Sequence, residues 1–386
     1  MTLSWRLPVS LLAPFVLLAT LLGGCVTVEQ PEKTPAVFYP EPPELPRLQF
    51  LRSYLGSMDF EEEQSAFDAF VTGGRKRGMR LDKPYGVVTV PGAIYVADSN
   101  FSVMKFDLDA RKFGMLQGAK GLGKLVQPVN ICLDAKGNRF VSDPVRGQVL
   151  QYDAKDFFVK SFRYGGFWRP VGVSTYEGSL FVCDRQNRQV HIFDIASGRL
   201  QRSLGQEGAP DERLGMPLNI AIGPDKILYV SDGGRFQVVK YDLDGHYLGA
   251  IGEPGQSPGR FARPRGVAVA RDGLVYVVDA AFDYVQVFHP SGQLLTFFGG
   301  PGSQPGNLNL PAGITLDYDN VDLFKEYVDP NFEVEYLVIV TSQFGNRLVN
   351  VYGYGQQKGV KYPTLEELRD LRKKQLEEMQ QQVPHR

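Results

Sequence analysis

The stretch FVCDRQNRQVHIFD, residues 181 to 194, holds a thiol (Cys183), a carboxylate (Asp184) and an imidazole (His191). These are the groups of nucleophilic catalysis, in which an oriented base withdraws the proton of a nucleophile. Whether they act together depends on the elements that carry them. Those elements follow from a repeat that runs through most of the chain.

Six prolines mark the repeat: Pro84, Pro128, Pro170, Pro217, Pro264 and Pro311, spaced by 44, 42, 47, 47 and 47 residues. Three positions before each stands an apolar residue (Leu81, Leu125, Phe167, Leu214, Phe261, Leu308). Two positions after each stands Gly86, Asn130, Gly172, Asn219, Gly266 or Gly313. Gly and Asn suit a tight turn at positive φ. An apolar run follows, then a second run that ends at Asp98, Asp143, Asp184, Asp232, Asp279 and, in the sixth unit, Ser342. A third run (VMKFD, VLQYD, VHIFD, VVKYD, VQVFH, VNVYG) and a weaker fourth, such as RLQRSLG at 199–205 and YLGAIG at 247–252, complete the unit. Gly/Asp turns separate the runs. Four short strands every 40 to 50 residues or so read as the blade of a propeller. The sixth unit lacks a fourth strand, and LQFLRSYLG at 48–56 supplies one from the other end. The expected fold is therefore all-β: a six-bladed β-propeller over residues 47–356, closed by an N-terminal strand that removes the open edge.

Aligned columns now judge the opening residues. His191 shares its column with Met104, Leu150, Val239, Gln286 and Asn350, which marks no common ligand position. Cys183 shares its column with Ala97, Ser142, Ser231, Val278 and Thr341, all small. Cys132 falls in a similar column, with Val88, Ser174, Ala221, Ala268 and Thr315. Both thiols read as inert core groups rather than nucleophiles, with a disulfide between them as the alternative. Asp184 belongs to the blade signature and is expected to fix local geometry. His246 and His289 sit in turns and His385 in the tail, so no clustered histidine metal site is expected. No Cys-x-x-Cys-His, phosphate loop or nucleophile elbow occurs, and no cofactor is expected.

The best remaining candidate is the mouth of the central channel, ringed by residues around the repeat prolines. Lys83, Tyr85, Gln127, Asn130, Arg169, Asn219, Arg263 and Arg265 stand there, four of them cationic and none anionic. Such a ring focuses an anionic ligand or an acidic partner segment. Asp82 lies close by and would blunt the field.

The ends of the chain carry an address. The chain opens MTLSWRLPVSLLAPFVLLATLLGGC, one positive charge before an apolar run that ends in Gly-Gly-Cys. Residues 1–24 read as a signal peptide. The alternative, a membrane-spanning anchor, is disfavoured by the short run and by Pro8 and Pro14. LLGGC resembles the lipobox of bacterial lipoproteins, and the resemblance implies lipidation of Cys25. Val26, not Asp, follows it, which by the same resemblance favours the outer membrane. Residues 25–46 then form a tether with six prolines. The repeat itself, best kept from Pro264 to Phe288, is similar to the NHL repeat over roughly residues 47–356, so the whole resembles a bacterial NHL-type propeller lipoprotein.

Three segments depart from the repeat. Residues 58–80 hold Phe60, Phe67 and Phe70 at helical spacing, expected as a short helix on the propeller face, with a channel lid as the alternative. Residues 317–335 insert acids among Tyr318, Phe324, Tyr327 and Phe332, which reads as a solvated excursion, a docking surface or, more faintly, a calcium loop. The tail, 357–386, is expected to be a helix capped by Thr364 and Glu367.

With 42 basic and 43 acidic residues and no basic run, nucleic acid is not an expected partner. The leading expectation is a lipid-anchored, non-catalytic envelope propeller that binds protein partners or an envelope ligand. A hydrolase or lyase with a metal in the channel, and an accessory subunit of an envelope redox or transport complex, are the rivals.

Overall fold

The computed structural model describes residues 35–61, 78–364, 366–368, 370 and 374. Within them lie six antiparallel sheets. Blade one runs Pro84–Val90, Ala93–Asp98, Val103–Asp107, Lys112–Met115. Blade two is Asn130–Leu133, Arg139–Asp143, Gln148–Tyr152, Phe158–Phe162, and blade three Pro170–Tyr176, Ser179–Asp184, Gln189–Asp194, Leu200–Leu204. Blades four and five begin at Pro217 and Pro264 and end at Ile251 and Gly299. Blade six takes Pro311–Asp317, Phe332–Ser342 and Val349–Gln357, and its fourth strand is the N-terminal Leu48–Tyr54, paired antiparallel to Val349–Gln357. The innermost strands neighbour one another around the axis, Pro311–Asp317 returning to Pro84–Val90.

Each interface between neighbouring blades is a separate apolar cluster, because the middle strands are buried on both faces. Between blades three and four, Cys183, Val190, Ile192, Ile220 and Val230 interlock. Between six and one, Tyr54, Leu81, Phe106 and Ile339 do so. The apolar residue three before the proline is buried at Leu81, Leu125, Leu214, Phe261 and Leu308. Blade three breaks the rule. Trp168 fills that slot, 3% exposed, and Phe167 turns outward, 71% exposed.

The Gly/Asn position has a different cause from the one its residue types suggest. Gly86, Gly172, Gly266 and Gly313 are not among the positive-φ glycines. A side chain is excluded there because the neighbouring blade is too close. A Cβ on Gly172 would sit 2.5 Å from Asn219 Cα, and one on Gly313 would sit 2.1 Å from the Tyr85 carbonyl oxygen.

Within the segment expected as a proline-rich tether, three residues pair with the last blade. Val37–Tyr39 adds a fifth strand outside Leu48–Tyr54, and Tyr39 donates its hydroxyl to the Gly306 carbonyl at 2.9 Å. In the insertion, Phe324 and Phe332 are buried in the chain's own core, so they are not anchors for a partner. Asp317 accepts from the Asp319 and Asn320 backbone and from Asn320 Nδ2, and Asn320 bonds Val90 and Gly92 of blade one. The insertion therefore ties the last blade to the first. Of the segment 58–80, expected as a short helix, residues 62–77 lie outside the described residues. Its start, Ser57–Phe60, is a 3-10 turn whose Phe60 packs on Tyr54 and Phe106. The tail's capping box is present: Thr364 N donates to Glu367 Oε2 at 2.7 Å and Glu367 N to Thr364 Oγ1 at 3.1 Å. No helix among the described residues is long and apolar enough to cross a membrane.

Candidate functional site

Cys183 and Asp184 are consecutive on one strand, so they point to opposite faces. Cys183 enters the cluster between blades three and four, and burial raises its thiol well above the usual range. Asp184 turns the other way and meets His191, Nε2 lying 3.0 Å from Oδ2. His191 Nδ1 lies 2.6 Å from Ser203 Oγ, and the ring stacks on Tyr164 at 4.3 Å. The imidazole is completely buried, as is Cys183, and neither lines the two cavities on the channel axis. The opening constellation therefore splits, its thiol and its imidazole on opposite faces of the blade. Cys132 and Cys183 are both free thiols, and burial raises that of Cys132 as well.

The signature aspartates hold the loops that end at the channel. Asp143 accepts from the backbone N–H groups of Val126, Gln127 and Arg146. Asp184 accepts from Arg169, Gln186 and Asn187, and Asp279 from Ala262, Arg263 and Ala281. Each clamp joins the loop before the repeat proline to the loop between the second and third strands. In blade six the serine does less. Ser342 Oγ takes Asn309 N, and Asp283 of blade five takes Leu310 N at 2.7 Å.

The hydroxyls of the small column stitch adjacent blades at the channel. Ser142 Oγ donates to the Val171 carbonyl and Thr341 Oγ1 to that of Tyr85, both at 2.5 Å, and Ser231 Oγ donates to that of Arg265. In five blades the ladder slips just after the proline. Such bulges re-aim the residues that follow, here Tyr85, Val171, Leu218, Arg265 and Ala312, all of which line the channel mouth.

The mouth is a cavity of about 480 Å³. Lys83, Tyr85, Gln127, Asn130, Arg169, Asn219 and Arg265 line it, seven of the eight expected residues. Arg263 does not line it. It stands exposed on the adjacent loop, and its charge reaches Arg265. Arg185, Ser99, Phe167 and Val145 also line it and lie outside the expected ring, three of them because they sit in the loops between second and third strands, and Phe167 because the repeat pattern assigns it to the core. Arg185 directly follows a clamp aspartate, and that position is the signal that could have found it. No carboxylate among the described residues lines the cavity. Asp82 is exposed and takes the Asn100 amide at 2.5 Å.

Arg265 is the innermost cation, 8% exposed. Its guanidinium lies over the Tyr85 ring, 5.1 Å from the centroid, and Nη1 donates to Gln343 Oε1 at 3.1 Å. Burial holds it below the usual arginine range, an effect that Tyr85 opposes and the charge of Arg263 reinforces. No carboxylate among the described residues forms an ion pair with Lys83, Arg169, Arg185 or Arg265. Asn130 and Asn219 each spend Oδ1 on the next backbone N–H, at 2.7 Å, so Nδ2 is what each can offer a ligand. The site is thus a set of donors and cations. It has no ligand set for a metal, and among the described residues no three His, Cys, Asp or Glu groups gather for one. Below it, Gly86, Asn130, Asn219 and Gly313 also border a second chamber of about 260 Å³, lined by Cys132, Ser174 and Tyr318.

Residues 169–254 match a family model described as a 6-bladed beta-propeller. No curated protein matches the chain. A Bacteroides thetaiotaomicron protein of unknown function superposes with TM-score 0.56 at 14% identity, covering 80% of this chain and 75% of its own. An auxiliary nutrient binding protein from the same organism gives 0.52 at 15%, covering 72% and 70%. A gluconolactonase from Xanthomonas campestris gives 0.51 at 17%, covering 83% and 98%. Likeness at these identities is one of fold, which hosts unrelated activities. The sheets, the matched segment and the superpositions agree: this chain is a six-bladed β-propeller.

Proposed function

We propose that the chain is a bacterial NHL-type lipoprotein, held at the outer membrane through a lipidated Cys25, whose propeller binds an anionic group at the channel mouth without transforming it. One observation carries the binding role. Arg265 is a buried cation with no carboxylate partner among the described residues, in a cavity that Lys83, Arg169 and Arg185 also line and that no described acid lines. Buried charges are ordinarily paired, since an unpaired one costs several kcal/mol or so in desolvation. An anion from outside supplies the missing partner, and guanidinium groups suit carboxylate and phosphate oxygens.

The same lining favours a binder over a metal-dependent hydrolase or lyase, which needs carboxylates or imidazoles in the channel. A role as accessory subunit of an envelope complex is compatible with the site and adds only the identity of the partner.

Calorimetric titration of citrate into the full chain tests the site. Binding should weaken by about tenfold or more in Arg265→Gln and fade as salt rises. Citrate affinity indifferent to Arg265, Lys83 and Arg169 together would remove the mouth from consideration. The address has its own test: Cys25→Ser should move the protein from the membrane fraction to the soluble one, and retention on the membrane would overturn the anchor.

A further inference from the structure

The face that carries the mouth is apolar as well as cationic. Antiparallel blades place the loops between second and third strands, and those before each repeat proline, on one side of the ring. In four blades the loop after the clamp residue exposes a large apolar side chain: Phe101 (55%), Val145 (60%), Phe236 (38%) and Phe344 (57%). Phe167, which the repeat would bury, is turned out instead and lines the cavity with Val145. Single exposed apolar residues need no explanation. Several in the same loop of different blades, on the side of the ring that carries the charged cavity, form the pattern of an interaction surface, with apolar anchors on the face of a charged pocket.

The opposite face differs in charge. Its hairpin turns mix Asp109, Asp134, Asp153, Asp194, Asp225 and Asp242 with Arg111, Lys136, Lys155 and Lys226, so it lacks the cationic excess of the mouth. A partner guided by charge therefore approaches the mouth and not the other end.

We infer that the occupant of the mouth is an acidic segment of a protein partner, with one carboxylate entering the cavity toward Arg265 and flanking apolar side chains covering Phe167 and Val145. The inference rests on the anion site proposed above and adds the form of the ligand. A free small anion would use the cations and leave the apolar rim without a role. A protein segment uses both. It also covers the mouth, which strengthens the charge pair by excluding water.

Random heptapeptides displayed on phage, panned against the full chain, test this. The selected peptides should carry Asp or Glu next to aromatic or aliphatic residues. A synthetic peptide of the selected sequence should bind about tenfold or more weaker to Arg265→Gln and about fivefold weaker to Phe167→Ala. Arg169→Ser, on an exposed loop, should weaken it too and cannot act through loss of the fold. Replacing the peptide's acid by its amide should abolish the Arg265 dependence. If citrate binds through Arg265 as tightly as any peptide and Phe167→Ala changes nothing, the anion site stands and the inference fails. If neither probe depends on Arg265 or Arg169, both fail. Selected peptides without acids would overturn the inference alone.

Discussion

Trp168 occupies the core slot between blades two and three that the repeat assigns to Phe167, its neighbour. The indole packs with Val149, Phe162 and Phe193, and Nε1 donates to the Gly147 carbonyl at 2.7 Å. The two aromatic residues should therefore answer substitution in opposite ways. Trp168→Ala leaves a large cavity and should cost about 3–5 kcal/mol. Phe167→Ala removes a mostly exposed ring and should stay within about 0.5 kcal/mol of the parent. Urea unfolding followed by circular dichroism reads both. A large loss in Phe167→Ala would mean that the exposed ring packs on something in solution.

The same pair shows what a repeat pattern conveys. Pro84 to Pro311, the clamp aspartates and the closing strand at Leu48–Tyr54 were legible because they recur, or complete something that recurs. Phe167 was not, because GGFWRP offers aromatics at two adjacent positions and only packing chooses between them. The strand Val37–Tyr39 lies in a proline-rich segment, where three residues give no periodicity. Gly172 and Gly313 were legible as special positions but not as contacts, since the neighbouring blade is distant in sequence. Seven of the mouth residues could be named from their columns. The unpaired state of Arg265 could not, because it depends on what every other blade fails to place beside it.

A buried, unpaired arginine is a cost that binding would offset, and so its removal should stabilise the empty protein. Arg265→Met keeps an unbranched apolar chain and removes the charge that lies over the Tyr85 ring. Replacing buried charge by apolar groups of similar volume is often neutral or stabilising by about 1–4 kcal/mol. The urea midpoint of Arg265→Met should match or exceed that of the parent, while citrate no longer raises it. A midpoint clearly below the parent's would instead assign Arg265 and its bond to Gln343 a structural duty.

Gly313→Ala should be among the most damaging changes of a single methyl group. The added carbon would meet the Tyr85 carbonyl oxygen at 2.1 Å, and backbone cannot rotate away. Overpacking of this kind costs about 1–3 kcal/mol or more. Gly165→Ala is the matched control, since nothing lies within 4 Å of its added carbon. It should be neutral or stabilising by a few tenths, roughly, through the unfolded state. Thermal unfolding of the two variants side by side decides the matter. Equal melting temperatures would show that the backbones of blades six and one part readily enough to admit a methyl group.

His191 gives a pH-dependent prediction through Asp184. Burial pushes the Asp184 carboxyl upward, but hydrogen bonds from His191, from the Arg169 backbone and from Asn187 outweigh it and hold it below its ordinary value. A carboxyl depressed on folding adds stability at pH values above its unfolded pKa, about 3.9. That stability is lost as pH falls through the lower, folded value. His191→Leu places there the residue type that Leu150 supplies at the same point of blade two. It removes the first of those hydrogen bonds, so the folded value rises and protonation begins at higher pH. The acid limb of the stability curve should therefore move to higher pH in His191→Leu, with the loss of stability fully present at neutral pH and shrinking in acid as the carboxyl protonates in both proteins. His191→Gln, which copies Gln286 of blade five and retains a donor, should restore part of the shift. Acid titration followed by tryptophan fluorescence is well placed to read this, because Trp168 lies 5.8 Å from His191, ring centre to ring centre. An acid limb that does not move would mean that the backbone donors hold the carboxylate without the imidazole, leaving His191 as a packing residue alone.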